Sequence, residues 1–477
     1  MGDVAVVNEM LRTPAPPEAL ATPRFIVPVL ASGGLVAAVM QTIVVPLIPS
    51  LPGLLDAAPD DASWVLTATL LAGAVATPVA GRLGDMVGKR RMMMISLGLL
   101  VVGAVVSALS DSLALMIVGR VLQGAGSGAI PLGISLMKDV LPADRQGSAI
   151  AFMSSTMGTG AAIGLPASAL VAEHLDWHVL FWGAAAIGLL ALVAVAVTAP
   201  ESGLRAGGRF DGWGTLGLAI WLTSLLLVVS KGNSWGWTSP AVLGAAAVFL
   251  VVAPVWTVYE LRRPGPLVDL RTTVRRPVLV TNCASVLIGF SMYGSVMILP
   301  QLLQAPADTG VGLGRSMLAA GLCMAPSGLV MLFASPLSAR LTAARGARTT
   351  LIVGATILGA AFAAASFLMH AVWQVVLIAV FTGLGIAFAY AAMPTLIMQN
   401  VPRGETAAAN GLNTLMRSLG TSVSSAVMAV LLADAFVTTG GGTLPTGPAA
   451  FRLAYTVAAA AALGGALLCL LLPRARS

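Results

Sequence analysis

The sequence predicts an all-α membrane protein of fourteen transmembrane helices, arranged as six, two and six. Three observations carry that reading. Hydrophobic residues make up 57% of the 477-residue chain and charged residues 9%, whereas soluble domains carry roughly 25% charged residues. The apolar residues fall in long runs such as 92–109, 179–198 and 351–369, each about long enough to cross ~30 Å of hydrocarbon as a helix. Only helices and closed barrels satisfy their backbone in lipid, and runs without period-2 alternation select helices.

The expected spans, in order, are 26–48, 63–83, 92–110, 113–137, 146–171, 178–198, 213–230, 239–259, 277–301, 315–337, 349–369, 372–396, 407–433 and 451–472. Residues 1–25 are polar and bear prolines, without the basic-then-apolar order of a cleaved signal peptide, and read as a cytoplasmic tail. An even number of spans puts both termini on one side. The loops then sort by charge. One side receives Arg82, Lys89, Arg90, Arg91, Lys138 and Arg145, and continues through Arg205, Arg209, Arg262, Arg263, Arg271, Arg275 and Arg276 to Arg340, Arg345, Arg348 and Arg403. The other side receives Lys231, Arg315 and Arg452. The positive-inside rule makes the first side cytoplasmic. Trp64, Trp177, Trp235, Trp237 and Trp373 fall near outer ends, as an aromatic belt does. The chain is therefore expected to be a multi-pass protein of the cell membrane with both termini in the cytoplasm.

The net charge of +7 is spread over short loops rather than gathered in a patch, which excludes nucleic acid as a partner. Cys283, Cys323 and Cys469 stand apart in apolar segments, so neither a disulfide framework nor a metal site is expected. The sequence lacks an HExxH pair, a glycine-rich phosphate loop and clustered His, Asp and Glu, so no catalytic residues and no cofactor are expected.

The chain repeats itself. Arg82-Leu83 followed by Gly88-Lys89-Arg90 returns 258 residues later as Arg340-Leu341 followed by Gly346-Ala347-Arg348. Val140-Leu141-Pro142 returns as Asn400-Val401-Pro402. The expected organisation is a tail (1–25), a six-helix bundle (26–200), two additional helices with linkers (201–276) and a second six-helix bundle (277–477). Parallel repeats of this kind place a site at their interface, near the bilayer midplane.

The motifs fit this frame. The segment after the second span reads Gly81-Arg82-Leu83-Gly84-Asp85-Met86-Val87-Gly88-Lys89-Arg90-Arg91, and in its second copy Ala343 stands where Asp85 would return. The fourth span carries Arg120-Val121-Leu122-Gln123-Gly124 and the fifth Gly158, Gly160, Gly164 and Pro166. With Trp64-Val65-Leu66-Thr67, Phe210-Asp211-Gly212, Pro300-Gln301-Leu302 and Asn413-Thr414 with Arg417, this order resembles the fourteen-helix drug:proton antiporter branch of the major facilitator superfamily from Ile26 to Leu472. The resemblance implies a major facilitator fold and export of hydrophobic or amphiphilic small molecules, such as drugs and antibiotics, by proton-coupled alternating access. It implies a gating role for Gly81, Asp85, Gly88, Lys89 and Arg90, and for the bend at Gly160, Gly164 and Pro166. The partners expected are an amphiphilic substrate, protons and lipids, with the chain acting as a monomer.

One position departs from that pattern. Many members of the branch carry an acid in the first helix just before a Thr-Ile-Val stretch; here Met40 and Gln41 precede Thr42-Ile43-Val44. Every other acid falls at a span end or in a loop, which leaves Asp139 and Glu173 as proton-coupling candidates. Arg120 and Arg417 lie deep in their spans, two cations without a deep anion, and an arginine does not release its proton. This favours acidic, zwitterionic or lipid-like amphiphiles, and keeps open an alternative: a lipid or anionic-amphiphile transporter without proton antiport. The expected cavity walls are Gln41, Thr42, Arg120, Gln123, Met153, Met157, Asn282, Tyr293, Tyr390, Met393, Asn410, Asn413 and Arg417.

Overall fold

A computed structural model describes residues 25–472 except 48–49, 308–311, 434–435, 440–441 and 446–447. The expected tail lies outside the described residues. The chain is a multi-pass membrane protein, with thirteen helices long and apolar enough to span a membrane among the described residues. They are α1 (Ile26–Leu47), α2 (Trp64–Val87), α3 (Lys89–Ala108), α4 (Leu113–Val140), α5 (Ala143–His174), α6 (His178–Thr198), α7 (Gly212–Trp235), α8 (Pro240–Arg262) and α9 (Arg276–Gln304), followed by Met317–Ala365, Val372–Gln399, Thr406–Ala433 and Pro448–Cys469. Met317–Ala365 has 49 residues, too many for one crossing, and Gly346 breaks it at φ 82°. It is thus two spans, α10 (317–345) and α11 (347–365). The last three helices become α12, α13 and α14, which makes fourteen.

Local signals set the helix starts. Ser112, Asp211, Ser239 and Ser316 each accept a hydrogen bond from the amide three residues on, at the heads of α4, α7, α8 and α10. The junction between α2 and α3 is shorter than expected. Both helices run on until a single residue, Gly88, separates them at φ 131°. A left-handed or extended-positive backbone there requires glycine.

Helices α1–α6 share one buried cluster, with Leu30, Met93, Leu132 and Phe181 inside it. Helices α9–α14 share another, around Ile288, Phe362, Tyr390 and Tyr455. The two sets meet along α2 with α13 and along α5 with α10. Small residues permit close contact at both seams: a Cβ on Gly411 of α13 would lie 2.8 Å from the Thr77 carbonyl of α2, and one on Gly328 would overlap the Gly158 carbonyl of α5. Helices α7 and α8 dock at the first seam, where Leu218, Leu222, Trp256, Leu267 and Val268 pack with Ala74, Leu412 and Leu415. The far side of α8 exposes Leu243, Leu250, Val251 and Val255, an apolar face suited to lipid. Between α13 and α14 the chain forms an antiparallel hairpin, β1 (Phe436–Thr439) with β2 (Gly442–Pro445).

Candidate functional site

The site has two parts, a cavity on the seam between the halves and a cluster of contacts that closes the seam at its basic end. The cavity is lined from the first half by Ile130, Pro131 and Ile134 of α4 and by Ser154 and Met157 of α5. From the second half come Tyr390 and Pro394 of α12, with Asn410, Asn413, Thr414 and Arg417 of α13. Its volume is about 10 Å³, room for roughly one water molecule. In this state the halves have closed upon it.

Arg417 dominates the electrostatics. It is 7% exposed, its guanidinium carbon lies 4.3 Å from the centre of the Tyr390 ring, and Nη2 donates to the Met157 thioether at 3.7 Å. Among the described residues no carboxylate pairs with it. The Asn410 carbonyl oxygen and the Ser154 hydroxyl are buried on the same cavity without hydrogen-bond partners. Asn413 turns its amide to Asn282 at 2.9 Å and to Ser285 at 2.8 Å, and Ser285 donates to the Met393 sulfur at 3.2 Å. Asn282 and Met393 therefore stand behind the wall rather than on it.

Arg120 is placed differently from the expectation that it shares this cavity. Its Nε donates to the Val65 carbonyl at 3.2 Å, and its Nη1 to the Met40 carbonyl at 3.1 Å and the Gln123 side chain at 2.5 Å. At 1% exposure it binds α4 to α1 and α2 inside the first half. The reason lies in the end of α1. Its regular α-helical stretch closes at Thr42, so the carbonyls of the last turn lack helical partners, and the guanidinium takes one. Gln123 goes with it. Met153 packs beside Gly34 and Gly133, and Thr42 bonds back to the carbonyls of its own helix. Both belong to the first half's interior. Gln41 is half-buried on α1, and Tyr293 is half-buried on α9.

The closing cluster gathers Gly81, Asp85 and Lys89, three of the residues expected to gate. Asp85 and Lys89 are fully buried. The Asp85 carboxylate accepts from the amides of Ala407 at 3.1 Å and Ala408 at 2.8 Å, capping the first turn of α13. Gly81 makes this approach possible, since a Cβ there would overlap the Ala407 carbonyl. Lys89 donates to Asp139 at 2.5 Å and to the Thr406 hydroxyl at 2.8 Å, and lies 3.5 Å from Asp85. Ser202 donates to Asp139 at 2.6 Å. Lys138 reaches across to the Met398 carbonyl at 2.5 Å, and Asn410 to the Ser135 hydroxyl at 2.9 Å. Sequence reading set Lys89 in a loop with Arg90 and Arg91. It faces inward because α3 begins at Lys89 itself. Arg90 instead donates to the Ala196 carbonyl at the end of α6.

The expected bend divides its duties. Gly160 and Gly164 face α1, at Ala38 and Thr42, whereas Pro166 faces Gly321 of α10 across the seam. Of the proton-coupling candidates, Asp139 belongs to the closing cluster, and the side chain of Glu173 lies outside the described residues. Two buried acids escaped the sequence reading, Asp211 and Glu260, because both fall at span ends where carboxylates are ordinarily hydrated.

This architecture has known counterparts. A family model described as Major Facilitator Superfamily matches residues 30–425 and 281–477. The tetracenomycin C resistance and export protein of Streptomyces glaucescens is 28% identical over 414 residues, 85% of this chain and 75% of that protein. The multidrug export protein EmrB of Haemophilus influenzae is 26% identical over 80% of this chain and 74% of its own length. In shape, the crystal structure of the human organic anion transporter MFSD10 matches with a TM-score of 0.65 at 17% identity, covering 95% of this chain and all of the other. Two six-helix halves meeting over a central cavity, and a family match that runs through both, lead to one assignment: the chain belongs to the major facilitator superfamily.

Proposed function

We propose that the chain exports hydrophobic or amphiphilic small molecules across the cell membrane by alternating access, driven by protons. The central cavity carries this reading. It joins apolar and methionine walls, which adapt to varied ligands, to a few uncommitted polar groups. It is shut at the basic end by contacts that can break without unfolding either half. The positive-inside distribution makes that end cytoplasmic, with both termini on the same side. The state described is then closed to the cytoplasm, and one chain holds the whole cavity, so a monomer suffices. The export proteins among its relatives support drugs and antibiotics as the substrate class.

The test is accumulation of cationic, neutral and anionic compounds in cells with and without the protein, each with and without an uncoupler. The chain should lower accumulation of amphiphiles, and the uncoupler should abolish the difference. Equal accumulation with and without the chain would refute export. Persistence under the uncoupler would refute the proton drive.

A second reading concerns charge. Arg417 is a buried cation without a paired carboxylate among the described residues, and a low-dielectric cavity strengthens its field. It therefore favours acidic, zwitterionic or lipid-like amphiphiles, the class a facilitator without proton antiport would also take. Arg417→Ala should reduce export of acidic compounds by about tenfold, the equivalent of one charge-assisted hydrogen bond, and spare neutral ones. Dye-efflux measurements in which ethidium-type cations are the best substrates and ignore Arg417→Ala would remove this reading.

A further inference from the structure

The two acids missed by sequence reading face each other. Asp211 caps α7, with Oδ1 accepting from the Gly214 amide at 3.0 Å and the Tyr259 hydroxyl at 2.9 Å. Its Oδ2 is buried without a hydrogen bond. Glu260, in the last turn of α8, is 2% exposed, and neither of its carboxylate oxygens closes a hydrogen bond. A Cβ on Gly214 would lie 2.5 Å from Glu260 Oε1 and 2.6 Å from Asp211 Oδ2. The two oxygens therefore crowd one space, no more than about 5 Å apart. Glycine at 214 leaves that space open.

The groups around the pair come from every element that packs on it. Helix α8 supplies Tyr259, and the residue that caps its end is Arg263, whose Nε lies 3.9 Å from Asp211 Oδ2. The linker supplies the backbone amides of Leu267 and Val268, and α2 supplies the charge of Arg82, all acting on Glu260. Arg82 is itself buried. It lines a cavity of about 170 Å³ with linker residues 265–269, Glu405 and the first turns of α13. Among the described residues it has no hydrogen bond or ion pair. Its neighbour Gly81 is the residue that admits the Ala407 carbonyl to the closing cluster.

Two buried carboxylates at this separation do not both stay ionised at low cost, and one proton held between them removes the like-charge repulsion. We propose that Asp211 and Glu260 together bind a proton, and that this proton governs the closing cluster through Arg82. The inference rests on the proton-driven export proposed above. With the proton bound, the pair carries one negative charge beside Arg263, and Glu260 stays folded beneath the linker. When the proton leaves to the cytoplasm, two charges repel. Glu260 then turns towards Arg82 and draws the guanidinium from its place against α13, and the contact of Gly81 with Ala407 loosens. Proton release thus opens the cytoplasmic side, the side from which an exporter loads. The pair supplies the titrating group that Met40 does not.

The experiment uses the full chain in lipid nanodiscs, with spin labels at the exposed positions 91 and 403, which flank the closing cluster. In the wild type, the label separation should lengthen as pH rises through the titration of the pair. The infrared carbonyl band of a protonated carboxylic acid should fade over the same range. Glu260→Gln should lose both the band and the pH dependence, and remain closed. Asp211→Asn should do the same while keeping the α7 cap, because Asn caps a helix as well as Asp does. A label separation that follows pH in the variants as in the wild type, or a protonated band that survives in both, overturns the proposal. Transport is scored separately. If export ignores the proton gradient, the proton drive fails, while the pair is still judged on the band and the label separation.

Discussion

The junctions α2–α3 and α10–α11 are copies of one another, and they differ at two charged side chains. Each turns on a single glycine at positive φ, Gly88 at 131° and Gly346 at 82°. Each places an arginine two residues on, and each arginine seeks the end of the last helix of its own half. Arg90 donates to Ala196 at the end of α6, and Arg348 donates to Cys469 at 3.2 Å and Leu470 at 2.9 Å at the end of α14. Backbone hinge and internal strap are thus common to both halves. The carboxylate of Asp85 and the ammonium of Lys89 are not, since Ala343 and Ala347 stand in their places. Asp85 reaches across the seam to cap α13, whereas Ala343 reaches nothing, and α5 begins after Pro142 without a side-chain cap. What is duplicated holds each half together, and what is single holds the halves to one another.

This contrast can be broken in stages. The largest effect is expected from Asp85→Ala, which strips two amides of α13 and one partner of a buried lysine, about 2–4 kcal/mol of closed-state stability. Label separation across the seam should report an opening at the basic end, and export should be lost while the protein still purifies folded. A closed seam in this variant would deny the one-sided latch. Gly88→Ala comes next. It forces an unfavourable backbone, worth about 1–2 kcal/mol, and drives a methyl to 2.6 Å from the Glu201 carboxylate that holds the first amides of α3. Gly346→Ala should cost at least the same backbone portion, without the Glu201 contact, and thermal unfolding of the pair would rank them. If Gly346→Ala proves as damaging as Gly88→Ala, the first junction has no special burden. The smallest effect belongs to Ala343→Asp. The position is exposed, so stability should move within about 0.5 kcal/mol and the transport rate should hardly change. A markedly slower cycle would reveal that the second seam accepts a latch too.

Much of this was legible in the sequence, for a physical reason. Apolar runs of the right length have few alternatives in lipid, so most spans emerged within a few residues; α10 runs eight residues past its expected end, and the break at Gly346 falls in the loop expected between 337 and 349. The two deep arginines show where legibility ends. Arg120 and Arg417 look alike as mid-helix cations. One is consumed by backbone carbonyls, which no sequence displays, and the other is left to a cavity. Lys89 looked like part of a basic loop because nothing in the run Lys89-Arg90-Arg91 distinguishes the residue that turns inward. Asp211 and Glu260 sat at span ends, where water is the ordinary neighbour. Their burial depends on a linker folding back over them, a tertiary event without a local signal beyond the glycine at 214.

The bond between Arg120 and position 40 has a further consequence. Its acceptor is the peptide backbone, so any residue at 40 presents the same oxygen. Substitutions there leave this acceptor in place, so the cost of Met40→Ala is that of its side chain, which is 1% exposed in the core of the first half. A carbonyl also carries no proton to exchange, so the tie keeps the same charge whatever the pH on either side of the membrane. Position 40 is in that sense a fixed rivet, and an acid introduced there would arrive beside a guanidinium that is already held.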